Sequence, residues 1–450
     1  MIAHTPTRPE LHHQDAAARQ LTLDDLPAVR TEVELSSPPD QLELSDGVLK
    51  ARKILALVRL HTHPLGTIVL DGTRDLLWTT HSSTVWAAMR EAANAHLLAD
   101  GLPAVRDMAE LVGPPTSLPV CMAWRSAVLA DAPRITVVVA TRERPRLLRV
   151  CLNALLDLAY PDYEIIVVDN APETSATERL VRDLYGDVVR YRREDHRGLS
   201  SAHNRGLQAA TGSIVAFVDD DVVVDRHWLT ALAEGFSAQP DVGCVTGLIL
   251  PAELVTPAQL LLEQHGGFDK GFEMKVFDTG ANRPKDPLFP FTAGRLGSGA
   301  NMAFDTEVLR GLGGFDTAIG TGTFARGGDD LAAFFRVVLE HKVIYQPAAV
   351  VWHRHHREMA ALQNQAFGYG VGLGAFLASV MVHEWRMWPG LLGRLPRGLS
   401  YAFGSSSERN RGRYQGCPSE LGRLERRGLA YGPIAYAVSR WRTCRSGPTR

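Results

Sequence analysis

GLSSAHNRGLQAATGSIVAFVDDDV, residues 198–222, is the stretch on which the fold turns. A helix starts after Gly198 and stops at Gly212; an apolar run, Ser213 to Asp219, then reads as a strand and ends in Asp219, Asp220 and Asp221. A helix feeding a strand with a polar carboxyl end is the repeating unit of an α/β sheet with parallel strands. The same unit recurs on both sides. Upstream, RITVVVAT (134–141), EIIVVD (164–169) and VVRYRRE (188–194) are strands, and the helix from Pro145 sets Leu147, Cys151, Leu155 and Leu158 on one face. Downstream, VGCVTGLIL (242–250) is a strand, Asp329 to His341 a helix, and VIYQPAAVVWH strand-like.

In open α/β sheets ligands lie outside the carboxyl ends of the strands, so the Asp219–Asp221 carboxylates point where a substrate lies. Three adjacent anions repel one another unless a cation sits among them. A hard divalent ion, Mg²⁺ or Mn²⁺, shared between carboxylate and phosphate oxygens, is the natural partner. It would act as a Lewis acid on a diphosphate leaving group. Taken alone, the triplet also reads as a solvated loop before the helix that follows Asp225.

Other polar groups end the neighbouring strands: Thr141-Arg142 after the first, Asp169-Asn170 after the second. Asp169 suits hydrogen bonds from a base or ribose; each pair also suits a turn or cap. GGDD, Gly327 to Asp330, opens a helix, where carboxylates favour the N-terminal dipole. Its functional reading makes Asp330 a general base toward an acceptor hydroxyl, with Asp329 positioning that acceptor. WHRHH (352–356) puts His353 and His355 on one face of an extended segment and His356 on the other, with His353 the candidate for the metal or diphosphate.

The five motifs VVVATRERP (137–145), EIIVVDN (164–170), the stretch 198–222, GSGANMAFDTEVLRGLGGFD (297–316) and GGDDLAAFFR (327–336) resemble, in this order, family 2 glycosyltransferases. The resemblance spans about half the chain. It implies a GT-A-type α/β fold with a mainly parallel mixed sheet, and an inverting transfer from a nucleotide-diphosphate sugar. Carried over, Thr141, Arg142 and Asp169 contact the nucleotide, Asp219 to Asp221 the ribose and metal, and Asp330 is the base. The family commonly has Glu-Asp where this chain has Asp329-Asp330, a conservative change. The Gln-x-x-Arg-Trp motif of processive synthases does not follow Asp330, which implies addition of single sugars.

Of the competing classes, a sugar-nucleotide pyrophosphorylase would place a Gly-rich loop where this chain has TRERPR, and a dehydrogenase would show G-x-G-x-x-G there. A non-catalytic sugar-binding protein would share the pattern but lack metal-dependent turnover.

The chain has 450 residues and a net charge of −2, enough for two or three domains and without bias toward nucleic acid. The expected organisation is a mobile arm over 1–45, a small α+β accessory domain over 46–130, the catalytic domain over 133–356, and a C-terminal helical extension and Arg-rich tail over 357–450. In the accessory domain Trp86, Met89, Ala93 and Leu97 repeat at helical spacing. Residues 251–297, rich in Pro, Gly and Phe, read as a functional loop or lid. The five cysteines are widely spaced and lack a C-x-x-C pair, which argues against a disulfide framework and a zinc site. With no secretory signal at the N-terminus, a cytoplasmic location follows as the expectation.

From Glu384 onward there are 13 Arg, no Lys and four Glu, behind an uncharged apolar stretch from Met359 to Val382. That stretch reads as a buried helix closing the catalytic domain, with a peripheral contact of the Arg-rich part with the inner face of the cell membrane as the second reading. The sugar, the nucleotide and the acceptor, whether glycan, lipid-linked glycan or small molecule, are open at this level.

Overall fold

The computed structural model describes residues 21–45, 51–113, 117–403 and 419–445. The chain begins with strands β1 (Ala28–Glu34), β2 (Lys53–Leu60) and β3 (His63–Asp71), then helices α1 (Trp78–Ala99) and α2 (Val120–Ala130). There follow β4 (Ile135–Thr141), α3 (Pro145–Leu156), β5 (Tyr163–Asn170), α4 (Ala176–Tyr185), β6 (Val189–Glu194), α5 (Leu199–Ala209), β7 (Ile214–Asp219), β8 (Val222–Val224), α6 (Trp228–Ser237) and β9 (Val242–Pro251). The remainder comprises β10 (Glu253–Leu254), α7 (Pro257–Gly266), β11 (Lys275–Phe277), β12 (Asn301–Asp305), α8 (Thr306–Gly311), α9 (Asp329–Glu340), β13 (Lys342–His353), α10 (Met359–His383), α11 (Trp388–Phe403) and α12 (Ser419–Arg445).

Nine strands form the central sheet in the order β11-β13-β9-β12-β7-β4-β5-β6, with β8 paired to β13. β4, β5, β6 and β7 run parallel, whereas β12 is antiparallel to both neighbours, so the sheet is mixed. Every residue of β4 is buried, because helices cover both faces, and this is why it reads as a continuous β-branched run. Each fully buried Val or Ile contributes about 1.5–3 kcal/mol through area removed from water. The register aligns Thr141 with Asp169 and Ala140 with Asp219. Three polar strand ends therefore meet at one edge.

α3 starts at Pro145 as its sequence dictates, but its buried face is Leu148, Cys151, Leu152 and Leu155. Cys151 and Leu155 of the expected stripe are therefore on that face and Leu158, also buried, lies just beyond the helix, whereas Leu147 is only partly covered and Leu148 takes its place. In α1, Trp78, His81, Val85, Met89, Ala93 and Leu97 are buried; Trp86 packs at the margin and gives its indole N–H to the Arg106 carbonyl.

The stretch 1–45, expected as a mobile arm, contains a strand. Residues 1–20 lie outside the described residues, but β1 pairs in parallel with β2 and antiparallel with β10. Its Val29, Thr31 and Val33 are buried at period two, which is the reason it is a strand. The smaller sheet, β10-β1-β2-β3, thus takes a strand from the chain beyond β9. Leu57 shares a core with Leu248, Leu250 and Trp352, and Arg59 joins Glu32 and Asp225, each at 2.8 Å. Residues 251–297, expected as a loop, contain β10, α7 and β11. The Pro-rich turn before α2 falls partly on residues 114–116, outside the described residues.

α10 lies against the catalytic sheet's helices and packs on α12 through Gly370, Gly374, Gly428 and Gly432, where a Cβ would strike the facing backbone. Among the described residues it is the one helix long and apolar enough to cross a membrane, and half of its most apolar window is buried in the fold. Residues 404–418 and 446–450 of the basic tail lie outside the described residues.

Candidate active site

The carboxyl ends of β4 and β7 open onto a cleft of about 1340 Å³. Thr141, Arg142, Asp219, Asp220, Asp221, Asp329, Asp330 and His353 all line it, so eight of the nine residues singled out from sequence share one cavity. The ninth, Asp169, sits behind that wall and is fully buried; its neighbour Asn170 reaches the cleft. The wall does not stop at residue 356. Tyr369 and Gly372 of α10 and Leu429 of α12 complete it, making the C-terminal extension part of the site.

The acidic triplet divides its work. Asp220 Oδ2 accepts from the Thr141 hydroxyl at 2.6 Å and its Oδ1 from Arg144 at 3.2 Å, so both oxygens are committed to the frame. Asp219, Asp221 and His353 instead bring one ligand atom each to within 4.8 Å of one another. His353 Nε2 lies 3.3 Å from Asp221 Oδ1, an oxygen that is buried without a hydrogen-bond partner. An orphaned carboxylate oxygen next to two further donors fits a divalent cation.

Electrostatics point the same way. Burial pushes Asp219 up to about 7, with Asp221 adding to it, and burial followed by Asp221 pushes Asp220 to about 6. For Asp221 burial acts in the same direction and is the largest single cause, yet His353, with Arg144 and His356 adding to it, holds the carboxyl below its ordinary value. Across the cleft burial, then Asp330, pushes Asp329 up to about 8. Asp330 is raised by burial too, against the backbone N–H groups of Leu331 and Gly299. So much buried carboxylate costs free energy until positive charge arrives.

Asp330 is oriented by two backbone donors: Gly299 N–H gives to Oδ2 at 2.9 Å and Leu331 N–H to Oδ1 at 2.8 Å. α9 is capped by Gly328, whose φ of 88° is left-handed and whose missing Cβ leaves room for the Gly372 carbonyl of α10. Asp329 is more deeply buried, with His203 Nδ1 at 3.7 Å from its Oδ2. Asp169 Oδ2 accepts from the Tyr191 hydroxyl at 3.0 Å while Oδ1 has no partner, and burial pushes the group up to about 6. Arg142 donates to Glu173 at 2.6 Å and to the Ala171 carbonyl at 3.3 Å.

Two contributions are not apparent in the sequence. Arg144 bridges Asp220 and Asp221, at 3.2 and 3.3 Å, from just past the β4 end; the clue is its place in TRERP beside Thr141. Behind His353 stands His355, whose Nε2 lies 2.6 Å from Glu263 Oε1 of α7. No local pattern joins residues 92 positions apart.

The family model described as Glycosyl transferase family 2 matches residues 136–295. The chain is similar to the glucosyl-dolichyl phosphate glucuronosyltransferase of Haloferax volcanii, with 25% identity over 196 residues, 42% of this chain and 57% of that protein. It is similar to the pre-mycofactocin glycosyltransferase of Mycobacterium tuberculosis, with 25% identity over 227 residues, 50% of this chain and 43% of the other. The chain thus spans about half the length of these curated relatives. Among solved structures, the mannosyltransferase PcManGT from Pyrobaculum calidifontis, in complex with GDP-Man and Mn²⁺, aligns with a TM-score of 0.41 and 20% identity over 73% of this chain and 84% of that one.

Proposed function

We propose that this chain, whose residues 136–295 match the family model described as Glycosyl transferase family 2, moves a single sugar from a nucleotide diphosphate to an acceptor hydroxyl, with inversion and with a divalent cation, Mg²⁺ or Mn²⁺. The observation that carries this reading is that Asp219, Asp221 and His353 converge on the cleft that Asp330 also lines.

Asp219, Asp221 and His353 would hold the cation, which when bound supplies neutralising charge to the diphosphate. Asp220, fixed by Thr141 and Arg144, keeps the triplet in place, and Arg142 and Arg144 add positive charge at the β4 end. Asp169, behind the cleft wall with one unpartnered oxygen, would meet the base or ribose only once the strand end beside Asn170 opens on donor binding. Asp330, its carboxylate held by two N–H groups, takes the acceptor hydroxyl's proton as that oxygen attacks the anomeric carbon. The bond from the anomeric carbon to the diphosphate breaks as the new one forms, and the nucleotide diphosphate leaves with the electron pair. One displacement inverts the centre. Asp329 positions the acceptor from the same helix start.

The membrane reading rests on a different surface. Where α10 meets α11, Met381, Val382, Trp385 and Trp388 are exposed, Trp385 by 70%, and Arg386 lies among them. Aromatic rings beside arginine suit the interface of an anionic bilayer.

The test of the enzymatic reading is release of nucleotide diphosphate from a panel of nucleotide sugars with Mn²⁺ or Mg²⁺. A donor hydrolysed or transferred only with metal supports it; no turnover and no binding of any donor would leave the non-catalytic sugar-binding reading.

A further inference from the structure

The accessory domain carries a second convergence, remote in sequence from the acidic cleft. His61 stands on the turn between β2 and β3, His96 and Asp100 on the last turn of α1 and just past it, and Cys121 on the first turn of α2. Their ligand atoms form all six edges of a small tetrahedron. His61 Nδ1 is 3.2 Å from His96 Nε2 and 3.0 Å from Asp100 Oδ2; His96 Nε2 is 3.2 Å from the same oxygen. Cys121 Sγ lies 3.8 Å from His61 Nδ1, 3.7 Å from His96 Nε2 and 2.8 Å from Asp100 Oδ2.

We propose that these four side chains, His61, His96, Asp100 and Cys121, form a closed tetrahedral site for Zn²⁺ that pins the accessory sheet to the helix leading into the catalytic domain. Metal–nitrogen and metal–oxygen bonds of about 2.0–2.2 Å and a metal–sulfur bond of about 2.3 Å place tetrahedral ligands about 3.3–3.6 Å apart. Five of the six edges lie within a few tenths of an ångström of that range. The sixth, Sγ to Oδ2, is short because a thiol proton still binds them; on metal binding that proton leaves to solvent and the edge relaxes.

Without a cation the arrangement is poorly matched. Two imidazole N–H groups and a thiol all crowd one carboxylate oxygen, while approaching one another. With a cation all four atoms turn their lone pairs inward. One thiolate and one carboxylate cancel the ion's charge, which suits side chains only 7% (His61), 15% (His96) and 5% (Asp100) exposed. A set of two nitrogens, one oxygen and one sulfur is typical of the borderline-soft Zn²⁺ and unlike the oxygen cages of Mg²⁺ or Ca²⁺.

The surroundings hold the ligands in place. Asp100 Oδ1 accepts the backbone N–H of Cys121 at 2.9 Å, leaving Oδ2 for the site. His61 and Thr62 have φ of 54° and 67°, a left-handed turn stabilised by their N–H groups donating to Glu34 at 3.1 and 2.8 Å. Such strain in residues with side chains is a feature of functional positions. Four protein ligands leave no position open, so the role is structural. α2 in turn meets α6 through Arg125 and Glu234, at 2.7 Å, and leads into β4, which ends at Thr141. Cysteine spacing gives no sign of such a site because the ligands come from three separate elements, with only His96 and Asp100 close in sequence.

Co²⁺ titrated into the full chain after chelation tests this, since the acidic cleft's candidate ligands include no thiol. A thiolate-to-cobalt charge-transfer band in the near ultraviolet, with intense tetrahedral visible bands, is expected to saturate at a single equivalent. Both features should persist in Asp221→Asn and disappear in Cys121→Ser. Zinc measured by mass spectrometry in Asp221→Asn should remain near one ion per chain and fall in Asp221→Asn combined with His96→Gln. A wild-type protein that gives no thiolate band, or a band unchanged by Cys121→Ser, overturns the site; the wild-type spectrum decides even where a variant does not fold.

Discussion

The Nδ1 atoms of His353 and His355 lie 3.1 Å apart, so one ring must donate to the other. His355 Nε2, 2.6 Å from the Glu263 carboxylate, is placed to donate to it. Its Nδ1 then accepts from His353, whose Nε2, 3.3 Å from Asp221 Oδ1, offers a lone pair once a cation takes the place of the proton it shares with that carboxylate. The chain Glu263–His355–His353 thus selects the tautomer a metal ligand needs.

Removing the end of that chain should weaken the cation without touching a ligand. Glu263→Ala is expected to raise the Mn²⁺ dissociation constant about 10- to 100-fold. Glu263→Gln, whose amide oxygen still accepts from His355, should restore most of the affinity. Calorimetric Mn²⁺ titration of both variants checks this; equal loss in the two would assign Glu263 a role in packing alone.

If the Asp169 carboxylate is reached by the donor, it is expected to make donor binding depend on pH. Burial raises its pKa to about 6, and the ionised form is the stronger acceptor from a base or ribose. Affinity supplied by this group is therefore full well above about pH 6 and falls up to tenfold per unit below it. Asp219 and Asp220 are raised as well, so the relevant quantity is the part of the acid loss that vanishes in Asp169→Asn. A pH profile of donor affinity identical in wild type and Asp169→Asn would remove Asp169 from the donor site.

The α10–α12 contact is set by backbone proximity. At Gly370 a Cβ would land on the Glu425 backbone carbonyl, and at Gly428 on that of Phe367. Gly370→Ala should lower stability by about 1–3 kcal/mol through overpacking, read as a shift in denaturation midpoint. An unchanged midpoint would mean that the two helices separate readily in solution.

The exposed junction of α10 and α11 gives the membrane prediction. The full chain should float with anionic vesicles at low salt and remain unbound at high salt or with neutral vesicles. Trp385→Ser combined with Trp388→Ser should reduce flotation several-fold. Intact protein that does not float with anionic vesicles at low salt argues against docking.

The parallel strands were legible because their signal is local. Seven consecutive buried residues in β4 leave a β-branched run, and the carboxylates at the end of β7 follow from an apolar strand stopping at charge. Thr141, Asp219, Asp221 and Asp330 meet because the sheet register and the start of α9 bring those ends together. Local reading fails where tertiary contacts decide. β1 carries a period-two pattern in Val29, Thr31 and Val33 that the surrounding prolines and charges obscure. Leu148 replaces Leu147 because the helix phase answers to the sheet beneath it. Glu263 lies on a helix within a segment whose glycines and prolines suggest loop, and Cys121 gains its neighbours only through folding.

As the proposed base, Asp330 is separate in role from the acidic triplet. Asp330→Asn keeps the shape and removes the basicity. Donor and Mn²⁺ affinity by calorimetry should stay near wild type while turnover with a competent acceptor falls about 10²- to 10⁴-fold. In Asp221→Ala both metal and donor affinity should fall along with turnover. Full activity in Asp330→Asn, or loss of donor binding in that variant, would contradict the account.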